Sequence, residues 1–230
     1  MTQQLTLDLP VKTALGREDF FVAPSNTLAQ ETLAAPQDWP MGKMVLCGAS
    51  GAGKTHLAHV WAADTGAQII PADRLFELDI ATLTKGPLAV EDADAVAGNA
   101  ALEQHLFHLH NLMLSNGQYL LLSAQSAPSR WNLALPDLRS RMEGTAVTWI
   151  ESPDDMLLTV VLLKHFNDLQ IHVAPEVVDY IIKRTPRSLG FIRELTDALN
   201  QEALREKRPI TRVLAGKTLD ALDKKHPETA

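Results

Sequence analysis

Short apolar runs alternate with longer segments of helical periodicity over the first two thirds of the chain. Each run is rich in aliphatic residues and has the length of a strand that is buried on both faces. The segments between the runs are long enough for crossover helices, and the alternation therefore predicts a parallel α/β sheet. The predicted strands are residues 44–47, 68–70, 87–90, 119–123 and 146–150.

Only helical patterns follow Ser152 and Pro153. Ser152, followed by Pro153 and Asp155, is typical of a helix cap, and Asn116-Gly117 is a stop signal for an earlier helix. The predicted helices are residues 100–114, 154–169, 175–184, 188–206 and 211–222. We therefore predict a leader (1–18), an α/β domain (19–151), a helical domain (152–224) and a frayed tail (225–230).

Composition narrows the class of protein. The chain has 230 residues, of which 46% are hydrophobic, so it can bury a core of its own. A net charge of -7 argues against a broad phosphate-binding surface, because nucleic-acid binders normally carry a basic face. The single cysteine, Cys47, cannot form an internal disulfide, and we find neither a signal peptide nor an apolar run of membrane length. These features predict a cytoplasmic protein without membrane association.

The strongest chemical signal is a glycine-rich loop between the first predicted strand and a helical pattern. Its residues match the eight-residue P-loop pattern at every fixed position. Glycines let backbone N–H groups converge on phosphate oxygens, Lys54 can reach the outer phosphates, and the Thr55 hydroxyl suits Mg²⁺. The alternative is a glycine-rich turn without a ligand. The loop consists of Gly48, Ala49, Ser50, Gly51, Ala52, Gly53, Lys54 and Thr55.

A pair of carboxylates follows another predicted strand. Glu91 and Asp92 end the apolar run 88–90, where a P-loop protein needs an acidic group for Mg²⁺. Glu91 would orient Mg²⁺ through its water shell, and Asp92 could polarise an attacking water. The alternative is that both residues and Asp94 form a solvated acidic loop.

Segments spread over about residues 19–222 resemble the AAA+ module of the bacterial replication initiator DnaA, and more closely that of its short relatives, the Hda family. The resemblance implies an α/β P-loop AAA+ domain with a parallel sheet, followed by a small all-α lid. The matching segments are residues 21–29 (the entry segment beside the adenine), 90–94 (the acidic strand), 122–125 (sensor 1), 135–141 (box VII) and 191–195 (sensor 2).

The resemblance also gives roles to two arginines. Arg141 falls at the arginine-finger position, where it would act in trans on another protein's nucleotide, and Arg193 falls at sensor 2, which reads the bound nucleotide. A planar, permanently charged guanidinium can neutralise phosphate charge. The alternative for each is a surface ion pair.

The leader resembles the short peptide by which Hda and other replication proteins dock on the sliding clamp, the β subunit of DNA polymerase III. An extended segment can place alternate leucines in a pocket while an amide side chain makes hydrogen bonds. The alternatives are a disordered tail or an edge strand. The residues that carry the resemblance are Gln4, Leu5, Leu7 and Leu9.

The chain ends soon after its last helical pattern, so we expect no helix-turn-helix and no direct sequence-specific DNA binding. The resemblance implies ADP or ATP with Mg²⁺ as cofactors, DnaA and the clamp as partners, and a homo-oligomer as an option. Glu91 stands where Asp is usual and Asp92 where Glu is common, so we expect weak intrinsic ATPase activity and a resident ADP.

The implied function is stimulation of the hydrolysis of DnaA-bound ATP, which negatively regulates replication initiation. One alternative is a non-catalytic, nucleotide-gated adaptor for replication proteins. Another is a small-molecule kinase, which the helical C-terminal region fits poorly.

Three other residue types have ordinary structural interpretations. We expect Trp61, Trp131 and Trp149 to pack in the core and Cys47 to be a small buried hydrophobe. The histidines of the 100–114 helix are expected to be partly exposed surface groups rather than metal ligands.

Overall fold

The computed structural model describes residue 16 and residues 19–225. Its described strands form one parallel sheet in the order β2-β3-β4-β1-β5. The predicted strand segments are confirmed to within two residues at each end. The strands are β1 (Lys43–Cys47), β2 (Gln68–Pro71), β3 (Leu88–Glu91), β4 (Leu120–Ala124) and β5 (Ala146–Trp149).

Helices cover both faces of the sheet and then form a separate layer. The predicted helices are confirmed with shifts of a few residues at their ends, and short 3₁₀ turns lie between several elements. The helices are α1 (Thr27–Ala34), α2 (Lys54–Thr65), α3 (Ile80–Leu83), α4 (Ala100–Ser115), α5 (Pro136–Glu143), α6 (Asp155–Asp168), α7 (Pro175–Arg184), α8 (Leu189–Glu206) and α9 (Arg212–Lys225).

Strand β1 explains why the sheet is buried on both sides. Its side chains alternate between the two faces, so Val45 and Cys47 join the cluster under α4 while Leu46 joins the cluster under α1 and α2. Cys47 is fully buried, as predicted, and this burial raises the pKa of its thiol to about 12. A thiol with so high a pKa stays protonated and unreactive at neutral pH.

The C-terminal helices enclose their own apolar core, centred on fully buried residues such as Leu162, Ile181 and Leu195. The cap of α6 differs from the one that the sequence predicts. Asp154, not Ser152, is the N-cap residue, and its side chain accepts a hydrogen bond of 2.7 Å from the backbone N–H of Leu157. The carboxylate thus stabilises the start of the helical layer.

Two expectations about aromatic residues need correction. Trp61 and Trp131 are buried, but Trp149 is 46% exposed, because β5 is an edge strand that helices leave partly uncovered. His105 is half-buried and His108 is exposed, whereas His110 is only 1% exposed.

A parallel α/β sheet followed by a helical layer is the fold class that the sequence predicts. None of the helices in the described part of the chain is long and apolar enough to cross a bilayer.

Candidate functional site

The glycine-rich loop joins the carboxyl end of β1 to the start of α2. Gly51 and Gly53 have φ angles of 72° and 109°, which side chains other than glycine rarely adopt. Gly53 is also the N-cap residue of α2 and offers no side chain to the first N–H groups of that helix. These N–H groups and the positive end of the helix dipole are therefore available to an anion such as phosphate.

Lys54 lies buried inside this loop. Its Nζ donates hydrogen bonds to the carbonyl oxygens of Gly48 and Ala49, at 2.8 and 3.0 Å. Burial lowers the pKa of Lys54, and the nearby carboxylates of Asp92 and Asp94 oppose that effect. The ammonium group is thus held across the mouth of the loop, next to the N–H groups that a phosphate would contact.

Glu91 ends β3 and lies at the same edge of the sheet as the loop, because all strands are parallel. Its Oε1 atom is buried and has no hydrogen-bond partner among the residues described. Buried polar atoms normally have partners, so an orphaned carboxylate oxygen at this edge fits a hydrated Mg²⁺. The Thr55 hydroxyl is exposed at the start of α2, as a second Mg²⁺ ligand requires.

Asp92 follows Glu91 in a left-handed conformation, with φ at 52°. Such a backbone costs about 1–3 kcal/mol and persists where the surroundings hold it. Here the backbone N–H of Asp92 donates a hydrogen bond of 3.0 Å to the buried Ser123 Oγ at the end of β4. The next loop is fixed similarly, because the N–H of Gln125 donates to Asp94 Oδ2 at 2.9 Å. The predicted sensor 1 segment therefore contacts the acidic loop directly.

The start of α8 rests on the glycine-rich loop. The backbone N–H of Leu189 donates to the Gly51 carbonyl at 2.8 Å, and the Ser188 hydroxyl caps α8 by accepting from the N–H of Phe191. The approach is so close that a Cβ atom on Gly51 would lie 2.0 Å from Ser188 Oγ. No sequence pattern predicts this contact, because it joins residues that are far apart in the chain.

Arg193 lies one turn beyond this contact. Helical spacing places it on the same face of α8 as Leu189, and side chains on a helix lean toward its N-terminus. Arg193 is half-buried and within electrostatic reach of His165 on α6, whose pKa is lowered first by burial and then by this guanidinium.

Replacing Gly51 with alanine is expected to weaken both nucleotide binding and the contact between the loop and the C-terminal helices α6–α9, which we call the lid. The new methyl group meets Ser188 and also strains a left-handed backbone. Gly66, at the end of α2, is a matched control, because it has the same φ of 72° and an added Cβ atom would meet nothing within 4 Å. Gly66→Ala should cost about 1–2 kcal/mol of unfolding free energy for backbone strain alone.

The measurement is urea unfolding of both variants, together with nucleotide titration. Gly51→Ala should lose more stability than Gly66→Ala and should bind nucleotide at least about tenfold more weakly, a loss of about 1.4 kcal/mol. Equal losses of stability and unchanged nucleotide affinity in both variants would show that the lid contact at Gly51 is unimportant.

Arg141 is exposed in the last turn of α5, and no ion pair to its guanidinium occurs within residues 19–225. Its carbonyl accepts hydrogen bonds from Thr145 Oγ1 at 2.9 Å and from Lys43 Nζ at 3.5 Å. Lys43 begins β1, whereas the glycine-rich loop follows the other end of that strand. The strand is about 13 Å long at 3.3 Å per residue, so Arg141 lies at the end of the sheet opposite its own P-loop.

The segment that enters α5 is held by a buried carboxylate that the sequence did not single out. Glu103 of α4 is 1% exposed and accepts from the backbone N–H groups of Leu135, Ala134 and Gly98 at 2.7, 3.1 and 3.0 Å. Burial raises the pKa of Glu103, but these donors and Arg139 together hold it below its ordinary value. The start of the arginine-bearing helix is thus fixed to α4.

The leader residues Gln4, Leu5, Leu7 and Leu9 lie outside the described residues. Of the predicted tail, 225–230, only Lys225 is described, and it is the last residue of α9.

No protein-family model matches the chain. Among curated proteins, it is 28% identical over 232 residues to the chromosomal replication initiator DnaA of Thermomicrobium roseum, covering 88% of this chain and 48% of the relative. It is 27% identical over 231 residues to DnaA of Herpetosiphon aurantiacus, covering 89% and 48%. The chain therefore spans about half the length of these curated relatives and is related to DnaA.

Solved structures show the fold. Domain III of DnaA from Thermotoga maritima matches with a TM-score of 0.78 and 18% identity, covering 93% of this chain and 98% of that one. AMPPCP-bound DnaA from Aquifex aeolicus matches with a TM-score of 0.64 and 19% identity, covering 83% and 68%. A variant of RuvB from Thermotoga maritima matches with a TM-score of 0.66 and 18% identity, covering 90% and 72%. The fold of this chain is therefore shared with domain III of DnaA and with RuvB.

Proposed function

We propose that this protein is a DnaA-related regulator of the Hda type, which binds an adenine nucleotide and stimulates the hydrolysis of ATP held by DnaA. In this role it would limit replication initiation. The relation to DnaA supports the replication context, and the nucleotide-bound DnaA structure of the same fold supports an adenine nucleotide.

The nucleotide phosphates would lie on the N-terminus of α2. The N–H groups of residues 48–55 would bind phosphate oxygens, and Lys54 would exchange its loop carbonyl partners for the outer phosphates. Thr55 and Glu91 would hold a hydrated Mg²⁺, which supplies charge neutralisation when bound. Arg193, on the lid face next to Gly51, would contact the phosphates and couple lid position to the bound nucleotide.

We expect intrinsic hydrolysis to be slow. Asp92 would polarise the attacking water, but its side chain is one methylene shorter than the Glu common at this position. Its left-handed backbone is held by a hydrogen bond to Ser123. The backbone therefore cannot easily shift to bring the shorter side chain closer to the attacking water. With so little hydrolysis, the nucleotide would act as a bound ligand, which we propose to be ADP, rather than as a substrate.

The observation that carries the proposal is the position of Arg141. Its guanidinium is exposed, and its helix ends at the edge of the sheet opposite the P-loop of the same chain. An arginine there can serve a nucleotide only in another protein. Hydrogen bonds from Ala134 and Leu135 to Glu103 fix the start of α5, as a positioned catalytic group requires. Arg141 would neutralise the charge that develops on the phosphates of DnaA-bound ATP.

The leader would dock the protein on the DNA-loaded sliding clamp. Leu5, Leu7 and Leu9 would enter an apolar pocket and Gln4 would make amide hydrogen bonds. Docking would raise the concentration of Arg141 near DnaA on the same DNA.

The test is ATP hydrolysis by DnaA with DNA-loaded clamp, measured with and without this protein. We expect stimulation by the intact protein and a loss of at least about tenfold at limiting concentration for Leu7→Ala, because tethering is lost. Leu204→Ala is the matched control, since Leu204 is 67% exposed on the lid. Adding a large excess of Leu7→Ala should restore stimulation, because Arg141 is intact.

Two results would contradict the proposal. No stimulation by the intact protein, with its nucleotide binding confirmed, would favour a nucleotide-gated adaptor. Full activity of Leu7→Ala at limiting concentration would show that stimulation does not depend on docking at the clamp. The proposed role of Arg141 would be unaffected.

A further inference from the structure

A buried lysine and a buried histidine meet below the arginine-bearing helix. Lys43, the first residue of β1, and His110, near the end of α4, are 5% and 1% exposed. The Lys43 Nζ lies 2.8 Å from His110 Nε2. A buried cation is costly unless it is hydrogen-bonded or paired, so the hydrogen bond to the imidazole helps to offset the cost of burying Lys43.

The contact defines the protonation state of His110 when Lys43 is charged. Burial lowers the pKa of Lys43 from its ordinary value of 10.5, and as an ammonium it has only donors, so His110 Nε2 accepts and the imidazole is neutral. The other ring nitrogen, Nδ1, then donates to Asn111 Oδ1 at 3.3 Å. The charged groups acting on His110 from the neighbouring elements are the Lys43 ammonium of β1 and the Arg141 guanidinium of α5, and both are cations. Burial, followed by these two cations, lowers the pKa of His110.

The same ammonium group connects the pair to the end of α5. Lys43 Nζ reaches the carbonyl oxygen of Arg141 at 3.5 Å, and Thr145 Oγ1 donates to that oxygen at 2.9 Å. Carbonyl groups in the last turn of a helix have no intrahelical partner and are stabilised by a nearby cation. The position of the Arg141 backbone is therefore held partly by Lys43, whose own position is held by His110.

We propose that Lys43 and His110 are positioning residues for Arg141, and that they hold the end of α5 in place only while the His110 imidazole is neutral. Protonation of His110 at Nε2 removes the hydrogen-bond acceptor that α4 presents to Lys43. It also places two cations in contact in a buried space. Lys43 then turns away from His110, and the Arg141 carbonyl loses one of its two side-chain donors. The inference rests on the proposed function insofar as Arg141 acts on a partner's nucleotide, but its structural part concerns this chain alone.

The structural part is tested by NMR on the free protein. The imidazole signals of His110 and the backbone amide signals of residues 136–145 are followed from about pH 7.5 downward until the His110 signals no longer shift, because the pKa of this histidine is lowered. We expect the amide signals of α5 to shift with the same midpoint as His110, below the ordinary value of 6.5. In His110→Gln, which keeps an acceptor for Lys43 but cannot titrate, the shift should vanish.

His108→Gln is the matched control, because His108 is an exposed histidine on the same helix. It should leave the response of α5 unchanged. The proposal is overturned if the amide signals of α5 do not shift as His110 titrates, or if they shift equally in His110→Gln. This outcome does not depend on the effect of the protein on DnaA.

The functional part is tested by maximal stimulation of DnaA ATP hydrolysis, divided by the rate of DnaA alone at each pH. Wild-type stimulation should fall as the pH approaches the NMR midpoint of His110, by on the order of tenfold once the imidazole is fully protonated, while His110→Gln stays near the wild-type value at high pH. Lys43→Met should lower maximal stimulation at every pH. Its nucleotide affinity should remain unchanged, since the P-loop lies at the other end of β1.

The outcomes separate the two proposals. If the intact protein does not stimulate DnaA but α5 follows His110, the proposed function fails and the coupling stands. If the intact protein stimulates DnaA with the same pH profile as His110→Gln, the positioning role fails and the proposed function stands. Loss of nucleotide binding by Lys43→Met would show a general structural role and contradict the positioning role.

Discussion

Replacing Arg141 with alanine is expected to abolish stimulation of DnaA ATP hydrolysis and to leave the variant folded, nucleotide-bound and docked on the clamp. An arginine finger is worth about 10³- to 10⁵-fold in hydrolysis rate, so the loss should be nearly complete at any concentration. The physical reason is that Arg141 is exposed and lies away from its own P-loop. Its removal therefore disturbs neither the core nor the chain's own nucleotide site.

Arg141→Lys separates charge from geometry. Lysine keeps the positive charge but loses the planar fork that contacts two phosphate oxygens, so we expect a small fraction of wild-type stimulation. Arg205→Ala is the matched control, because Arg205 is an exposed arginine on the lid that pairs with its helical neighbour Glu202. Stimulation that survives in Arg141→Ala would show that Arg141 is not the group that acts on DnaA-bound ATP.

The parts of the fold that could be predicted from the sequence are those encoded locally. An apolar run such as 44–47 specifies a buried strand by itself, and the glycines at 51 and 53 specify the turn that follows it. Contacts with other segments are not needed to predict the local structure at these positions. The parallel sheet and the helical layer follow from the order of such segments.

The features that could not be predicted depend on contacts between distant segments. Glu103 looks like an ordinary residue of an amphipathic helix, and only the tertiary fold brings the N–H groups of Ala134 and Leu135 to its carboxylate. The same holds for Lys43, which at the start of an apolar strand is expected to extend into solvent. Its burial against His110 follows from the packing of α4, which no local pattern encodes.

The wrong prediction at Ser152 has a different cause. Ser152 and Asp154 are both good capping residues, and local preference does not distinguish them. The helix begins where the chain leaves the sheet, since the backbone N–H of Ile150 still donates to the carbonyl of Cys47 in β1 at 2.8 Å, and that of Glu151 donates to the carbonyl of Ser25 at 2.9 Å. These hydrogen bonds hold the two residues before Ser152, and the cap falls to Asp154.

The candidate site follows the same division. The residues expected to bind nucleotide lie on one contiguous loop, so their proximity was predictable, and Glu91 joins them because parallel strands end at one edge. The contact of Ser188 and Leu189 with Gly51 was not predictable, because it depends on how the lid sits on the sheet. This contact would give a nucleotide bound at the loop a direct route to the lid.

Replacing Lys54 with methionine is expected to remove nucleotide binding without unfolding the protein. Charge-assisted hydrogen bonds to phosphate contribute about 1.5–3 kcal/mol each, and losing more than one of them should weaken binding by at least about 100-fold. Methionine fills similar space. The buried ammonium is itself unfavourable, since burial lowers the pKa of Lys54, so the nucleotide-free variant should unfold at a temperature no lower than the wild type.

The measurement compares thermal unfolding with and without ADP and Mg²⁺. Wild-type protein at a nucleotide concentration about 100 times Kd should gain about 2.7 kcal/mol of stability, whereas Lys54→Met should gain almost none. Lys85→Met, a change at an exposed lysine, is the matched control and should keep the full gain. A Lys54→Met variant that nucleotide protects as well as the wild type would mean that the glycine-rich loop is not where nucleotide binds. The fold would then be shared with DnaA, but the ligand site would lie elsewhere in the chain. The proposed coupling of nucleotide to the lid through Gly51 would fail as well.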